Sequence, residues 1–242
     1  ILKRKHSGAV LLCKVVGQEE RVVIKQICKR ESDINLRIMR REIEMMEGLN
    51  HLNVMRYFDS FEDEENFYFV TEYMSEGDLR QLLNRQRLTE RQVTKILDQT
   101  LKALDFLHYR GIIHREIKPE NIFLDKELNV KIGNFGFSKN TNSTAAFALT
   151  SARTLEVEYL SPERFLGEEY SFGVDIWSLG VVLYEMLMGS QPFDNPQLYI
   201  SGQPKPMNRR INKTLIKMTL LMLTADQNKR PSAEILLDIL AK

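Results

Sequence analysis

The stretch His114-Arg115-Glu116-Ile117-Lys118-Pro119-Glu120-Asn121 gathers an imidazole, a guanidinium, carboxylates, an ammonium and a side-chain amide on one short segment. A long helical pattern precedes it and the apolar run Ile122-Phe123-Leu124 follows. It therefore lies on a loop between a helix and a strand, where reactive groups are held by a rigid scaffold. Far upstream, Ile34 to Leu49 has helical periodicity, with Ile38, Met45 and Leu49 as its apolar stripe and Glu42 within it. A carboxylate in an apolar stripe requires a cationic partner, because an unpaired buried charge is expensive. Lys25 sits near the end of the β-rich run Arg21 to Ile27, a place where a lone lysine is ordinarily a solvated charge.

Around these groups the expected elements are short strands and long helices. Ala9 to Val16 and Arg21 to Ile27 form a hairpin through the turn Gly17-Gln18-Glu19-Glu20, and Met55–Glu62 with Asn66–Tyr73 form a second. Gly77-Asp78-Leu79 opens a short helix. Thr89-Glu90-Arg91-Gln92 is a capping box. The helix it starts carries Val93, Ile96, Leu97, Leu101, Leu104 and Leu107 to a stop at Gly111, dense enough in apolar positions to be largely buried. Val174–Met188 is a hydrophobic helix with Trp177 as a core residue, and Arg230-Pro231-Ser232 begins the last helix. Ser138 to Thr154 is polar and small-residue-rich and reads as a mobile loop.

Taken together, these segments resemble the protein-kinase family. The catalytic-loop pattern there is His-Arg-Asp, then Lys, then Asn. His114, Arg115, Lys118, Pro119 and Asn121 fall in register, and Glu116 stands where the family has its catalytic Asp. Val22-Val23-Ile24-Lys25 resembles the V-A-I-K strand, which implies that Lys25 holds the α- and β-phosphates of ATP. Val23 replaces the usual Ala and adds bulk beside the adenine. Glu42 corresponds to the helix αC glutamate and is the implied partner of Lys25. Lys3-Arg4-Lys5-His6-Ser7-Gly8 stands where the family has G-x-G-x-x-G. Only Gly8 remains, and the resemblance implies that Gly8 and Val10 line the nucleotide site; the lost glycines ordinarily let backbone amides approach phosphate. Val70-Thr71-Glu72-Tyr73-Met74 resembles the gatekeeper and hinge, with Thr71 as gatekeeper and the backbone of Glu72 and Met74 toward the adenine.

Val130-Lys131-Ile132-Gly133-Asn134-Phe135-Gly136 is similar to the Asp-Phe-Gly segment, with Asn134 in place of the Mg²⁺-binding Asp and Asn121 as the other implied metal ligand. Ser138 to Thr154 matches the activation segment, where the retained Arg115 is a cationic partner for a phosphate. Ser161-Pro162-Glu163 matches its closing Ala-Pro-Glu, but Leu155-Glu156-Val157-Glu158 replaces the usual Gly-Thr-Pro-x before it. The resemblance also implies a structural role for His114, hydrogen bonds from the loop backbone to Asp175, and an Arg230–Glu163 tie. Asn195–Arg210 is too broken for the usual helix αG. Tyr73-Met74-Ser75-Glu76-Gly77-Asp78-Leu79 and Asn121-Ile122-Phe123-Leu124 resemble the NIMA-related Ser/Thr kinases. That implies a cell-cycle, centrosomal or ciliary context, a cytoplasmic or cytoskeleton-associated location, and protein partners such as an active kinase or a cytoskeletal component.

The implied fold is α+β and bilobal, one domain over residues 1–242, with a small β-rich N-lobe over about 1–73 and a helical C-lobe over about 74–242. Composition agrees: 242 residues, 43% hydrophobic and 28% charged, suit a globular protein with a sizeable core. A net charge of +1 suggests no nucleic-acid or anionic-membrane partner. No apolar run is long enough to span a bilayer, and no signal peptide or repeat is evident. Cys13 and Cys28 lack metal or redox spacing and read as reduced thiols. Ile1 falls inside the expected first strand, so the chain is expected to be a fragment of a longer protein.

The two replaced acids decide the expected chemistry. Asn134 keeps an oxygen but loses a full negative charge. At about 4 Å and an effective dielectric near 20, that charge is worth about 4 kcal/mol to a cation, on the order of a thousandfold in affinity. Mg²⁺ also demands near-ideal octahedral geometry. Glu116 keeps a carboxylate on a chain one methylene longer, and a displacement of order 1 Å can cost about a hundredfold. The expected function is a pseudokinase that acts by binding, with weak ATP affinity and little or no Mg²⁺. The alternatives are a slow Ser/Thr kinase using Glu116 as base, and a nucleotide sensor that binds ATP without transfer.

Overall fold

The computed structural model describes residues 2–5, 8–30, 33–141 and 157–242. The chain opens with strands β1 (Lys3–Lys5), β2 (Gly8–Lys14) and β3 (Arg21–Cys28), the last carrying the β-branched run Val22-Val23-Ile24. Helix α1 (Asp33–Met46) follows, then β4 (Tyr57–Glu62) and β5 (Asn66–Glu72). The five strands make one antiparallel sheet in the order β1-β2-β3-β5-β4. Its register matters for the site. Val10 lies opposite Lys25, and Val23 opposite Thr71. Because side chains alternate along a strand, Val10, Val23, Lys25 and Thr71 share one face of the sheet.

Helix α1 departs from the expected stripe. Met39, Ile43 and Met46 are its buried apolar residues, with Glu42 beside them at 5% exposure. Met45 and Leu49 are only partly buried against the core. Ile38 lies against Gly136, so close that a Cβ on Gly136 would meet Ile38 Cγ2 at 2.4 Å. The reason is that α1 packs on two sides, against β4 and β5 on one and against the Phe135-Gly136 turn on the other. Two adjacent stripes are therefore filled, and a single-stripe reading chooses the wrong one. The helix also stops at Met46, before the positive-φ Gly48.

The remaining chain is mainly helical. After β6 (Gly77–Asp78), the Asp78 side chain caps α2 (Leu79–Arg85) by accepting from Gln81 N–H. The expected capping box at Thr89 and Gln92 is formed at the head of α3 (Glu90–Tyr109). Leu97, Leu101, Leu104 and Leu107 of α3 are fully buried. Short strands β7 (Ile112–Ile113), β8 (Ile122–Leu124), β9 (Val130–Ile132) and β10 (Lys139–Asn140) surround the loop of interest, paired as β6-β8-β9 and β10-β7. Then come α4 (Pro162–Phe165), α5 (Gly173–Met188), α6 (Pro196–Ile200), α7 (Lys213–Met222) and α8 (Ala233–Leu240). Helix α5 is buried on nearly every side, Trp177 included, and ends at Gly189 in the left-handed conformation that glycine adopts without strain. Within Asn195–Arg210 the only helix among the described residues is the five-residue α6. No helix of the described residues is long and apolar enough to cross a membrane. Ile1, His6, Ser7, Glu31, Ser32 and residues 142–156, which include most of the expected mobile loop and Leu155-Glu156, lie outside the described residues.

Candidate active site

Helix α3 delivers the His114 loop, and buried Asp175 of α5 fixes its backbone. Asp175 Oδ2 accepts from His114 N–H at 2.8 Å and Oδ1 from Arg115 N–H at 2.7 Å, while His108 Nε2 lies 2.9 Å from Oδ2. These bonds hold Arg115 at φ 68°, a left-handed conformation that a non-glycine residue keeps only when its surroundings fix it. Burial pushes the Asp175 carboxyl up, but the His108 hydrogen bond and the His114 contacts outweigh it, and its pKa lies below the ordinary value. His114 is fully buried, with its pKa lowered by desolvation, and packs edge-on to Phe135 at 5.0 Å. It is a structural histidine, as the resemblance implies.

The side chains of Glu116, Asn121 and Asn134 close into a ring. Asn121 Nδ2 donates to the Glu116 backbone carbonyl at 2.7 Å, which turns Asn121 Oδ1 toward Asn134. Asn134 Nδ2 donates to that oxygen at 3.1 Å and to Glu116 Oε2 at 2.8 Å. Turning the Asn134 amide over would set its oxygen against a carboxylate, so the nitrogen must face inward. Glu116 Oε1 is 3.2 Å from Lys118 Nζ, with both side chains largely buried. The implied metal ligands, Asn121 and Asn134, offer neutral amide oxygens and no carboxylate, a poor donor set for Mg²⁺. Asn121 Oδ1, one of them, accepts a hydrogen bond from Asn134 Nδ2, as does Glu116 Oε2 at the base position.

Lys25 and Glu42 meet as expected, with Nζ 3.1 Å from Oε1, and Lys25 also lies 5.3 Å from the centre of the Phe69 ring. Val10, Val23 and Thr71 flank Lys25 on the same sheet face. Glu72 reaches the opposite way, to Lys131 Nζ at 3.0 Å, and Met74 O accepts from Gly77 N–H at 3.2 Å. Gly8 does more than a turn residue does: at φ 152°, a Cβ there would sit 1.9 Å from Gln26 O on β3. The Arg230–Glu163 tie is present at 2.9 Å and is almost wholly buried.

Sequence reasoning gave Arg115 only a phosphate as partner and left Arg41, Arg164 and Arg80 unassigned. Arg115 donates to Phe137 O, Ser138 O and Tyr170 Oη, and Arg41 of α1 donates twice to Ser138 O. Arg164 reaches Arg115 O, and its pKa is lowered, first by burial. Arg80 binds Glu120 at 2.7 Å and also Glu185 and Tyr159. Burial would lower the Arg80 pKa, but the Glu185 and Glu120 hydrogen bonds raise it. The Arg80 partners lie 40 to 105 residues away in the chain, so no local pattern could reveal them.

The match to known proteins agrees with this geometry. The family described as Protein kinase domain matches residues 5–239, and the chain belongs to that family. An Aurora kinase of Yarrowia lipolytica is 36% identical over 214 residues, 88% of this chain and 53% of that protein. Serine/threonine-protein kinase CST20 of Candida albicans is 33% identical over 239 residues, 96% of this chain and 19% of that protein. Serine/threonine-protein kinase 36 of Pongo abelii is 38% identical over 192 residues, 79% of this chain and 14% of that protein. The chain thus spans about half or less of these relatives. None of the three carries a NIMA-related name, so the subfamily expectation gives way to the family-level assignment. The family uses ATP and Mg²⁺.

Proposed function

We propose that this chain is a catalytically impaired protein-kinase domain that acts by binding and regulating other proteins. One observation carries the reading: the Asn134 amide bridges Glu116 Oε2 and Asn121 Oδ1, where an active kinase would place a metal-binding carboxylate. Phosphoryl transfer depends on positioning and on charge stabilisation by bound cations. Here the residue expected to hold the cation instead satisfies the base and the asparagine. The Lys25–Glu42 pair within the β-rich part and the Asp175 network within the helical part are nonetheless formed, which suits a folded domain valued for its surface. We read residues 1–242 as one such unit, with weak ATP binding, little help from Mg²⁺, and protein partners in the cytoplasm, such as an active kinase or a cytoskeletal component.

A slow Ser/Thr kinase is the second reading. It is favoured by the Glu116 carboxylate, which remains paired with Lys118 at 3.2 Å, and by the Ser/Thr kinases among the relatives. A radiolabel transfer assay on the purified domain separates the two. Negligible transfer to protein substrates supports the impaired domain. Robust metal-dependent transfer that disappears in Lys25→Ala supports the slow kinase.

A further inference from the structure

Helix α7 bears an outward face that its packing on α5 and α8 does not use. Lys213, Ile216, Lys217, Leu220 and Leu221 line a shallow concavity of about 390 Å³ there. The spacing i, i+3, i+4, i+7 and i+8 puts all five on one side of the helix. Leu220 is 49% exposed and both lysines are exposed. Between Asn195 and Ala225 the chain holds Lys205, Arg209, Arg210, Lys213 and Lys217 and no acid, although the whole chain is only +1. Lys205 is paired with Asp194 at 3.0 Å, and Arg209 and Arg210 are exposed at the approach to the helix. Glu90 of α3 comes near this end of α7, but its Oε1 accepts from Asn212 N–H at 3.1 Å.

Helix stability does not explain these charges. Lys213 is the first residue of α7, at the positive end of the helix dipole, where a cation is unfavourable and an acid would be favoured. Nor does core packing explain Leu220, which remains half exposed. An apolar groove edged by cations is complementary to an amphipathic helix whose polar face is acidic. A concavity receives side chains from a partner, whereas a bilayer would favour protruding apolar residues.

We infer that this face of α7 is a docking site for an acidic amphipathic helix of a partner protein. The inference does not depend on whether the domain transfers phosphate. The test is fluorescence anisotropy with the intact chain. The probe is a short labelled peptide with leucine at i, i+3, i+4 and i+7 and glutamate elsewhere; the controls are its scrambled form and phosphatidylserine-containing vesicles. The patterned peptide should bind at least about tenfold more tightly than the scrambled one. Lys213→Glu/Lys217→Glu and, separately, Leu220→Ser should each weaken it by about tenfold or more while leaving the thermal midpoint close to wild type. Equal binding of both peptides, no binding of the patterned peptide, or binding untouched by these exposed substitutions would overturn the inference. So would vesicle binding that the lysine variant abolishes while the peptide stays unbound.

Discussion

Asn134 Nδ2 donates to Glu116 Oε2 at 2.8 Å, joining the two replaced acids, one at the base position and one at the metal position. The departures are therefore coupled. A carboxylate at position 134 would face the Glu116 carboxylate, whereas an amide there turns repulsion into a hydrogen bond. Asn134→Asp should accordingly destabilise the metal-free protein by roughly 1–4 kcal/mol, a fall of several degrees in Tm for a chain this size. Millimolar Mg²⁺ should restore much of the loss in the variant and leave the wild type unmoved. Thermal scans with EDTA and with Mg²⁺ check both parts.

The Lys25–Glu42 pair has one buried member and one that is about a third exposed, at 7% and 30% of the side chains. Lys25→Ala leaves the Glu42 charge uncompensated. The full cost of breaking a buried pair is about 3–5 kcal/mol; solvent reaching Lys25 reduces that to roughly 1–3 kcal/mol. Replacing both, as Lys25→Met/Glu42→Leu, should recover most of the loss, because the stranded charge goes with its partner. Urea unfolding of the two variants gives the comparison.

Much of this arrangement was legible in the chain itself. The Lys25–Glu42 pair, the Thr89 capping box, the Asp175 bonds and the Arg230–Glu163 tie follow from motifs whose spacing is local or whose order the family resemblance supplies. The Asn134 bridge was not legible. Its two bonds depend on which way three side chains turn, and the sequence shows only that an acid is missing. Arg80 was silent for another reason, since its carboxylate partners come from distant elements. Helix α1 misled because it is buried on two sides, so two stripes compete and the one through Ile38 looks the better.

Gly8 illustrates a residue whose structural demand is separate from any phosphate. Any side chain there would strike Gln26 O. Gly8→Ala should therefore lower stability by roughly 1–3 kcal/mol through strain of the β2–β3 pairing, in the absence of nucleotide. Differential scanning fluorimetry without ligand detects it. A Tm equal to wild type would mean that the strands can part locally at no cost.

Asp175 sets an acid limit. Its carboxyl is held below the ordinary 3.8, so its contribution is fully present above that pH and is lost as pH falls through the lower folded value. Asp175→Asn should cost roughly 3 kcal/mol at neutral pH by weakening charge-assisted bonds to the loop backbone. It should also remove this residue's share of the decline in stability below that pH. Denaturant melts across the acid range separate the two effects.

Titration calorimetry of ATP into the wild-type domain, with and without Mg²⁺, tests the central claim most directly. If the Asn134 amide stays on Glu116 and Asn121 in place of a metal-binding carboxylate, binding is weak and Mg²⁺ changes the affinity by less than about threefold, well under the roughly 1.4 kcal/mol that a tenfold change represents. Micromolar binding that Mg²⁺ strengthens tenfold or more would show that the cation displaces the amide, and the impaired-domain account would fail.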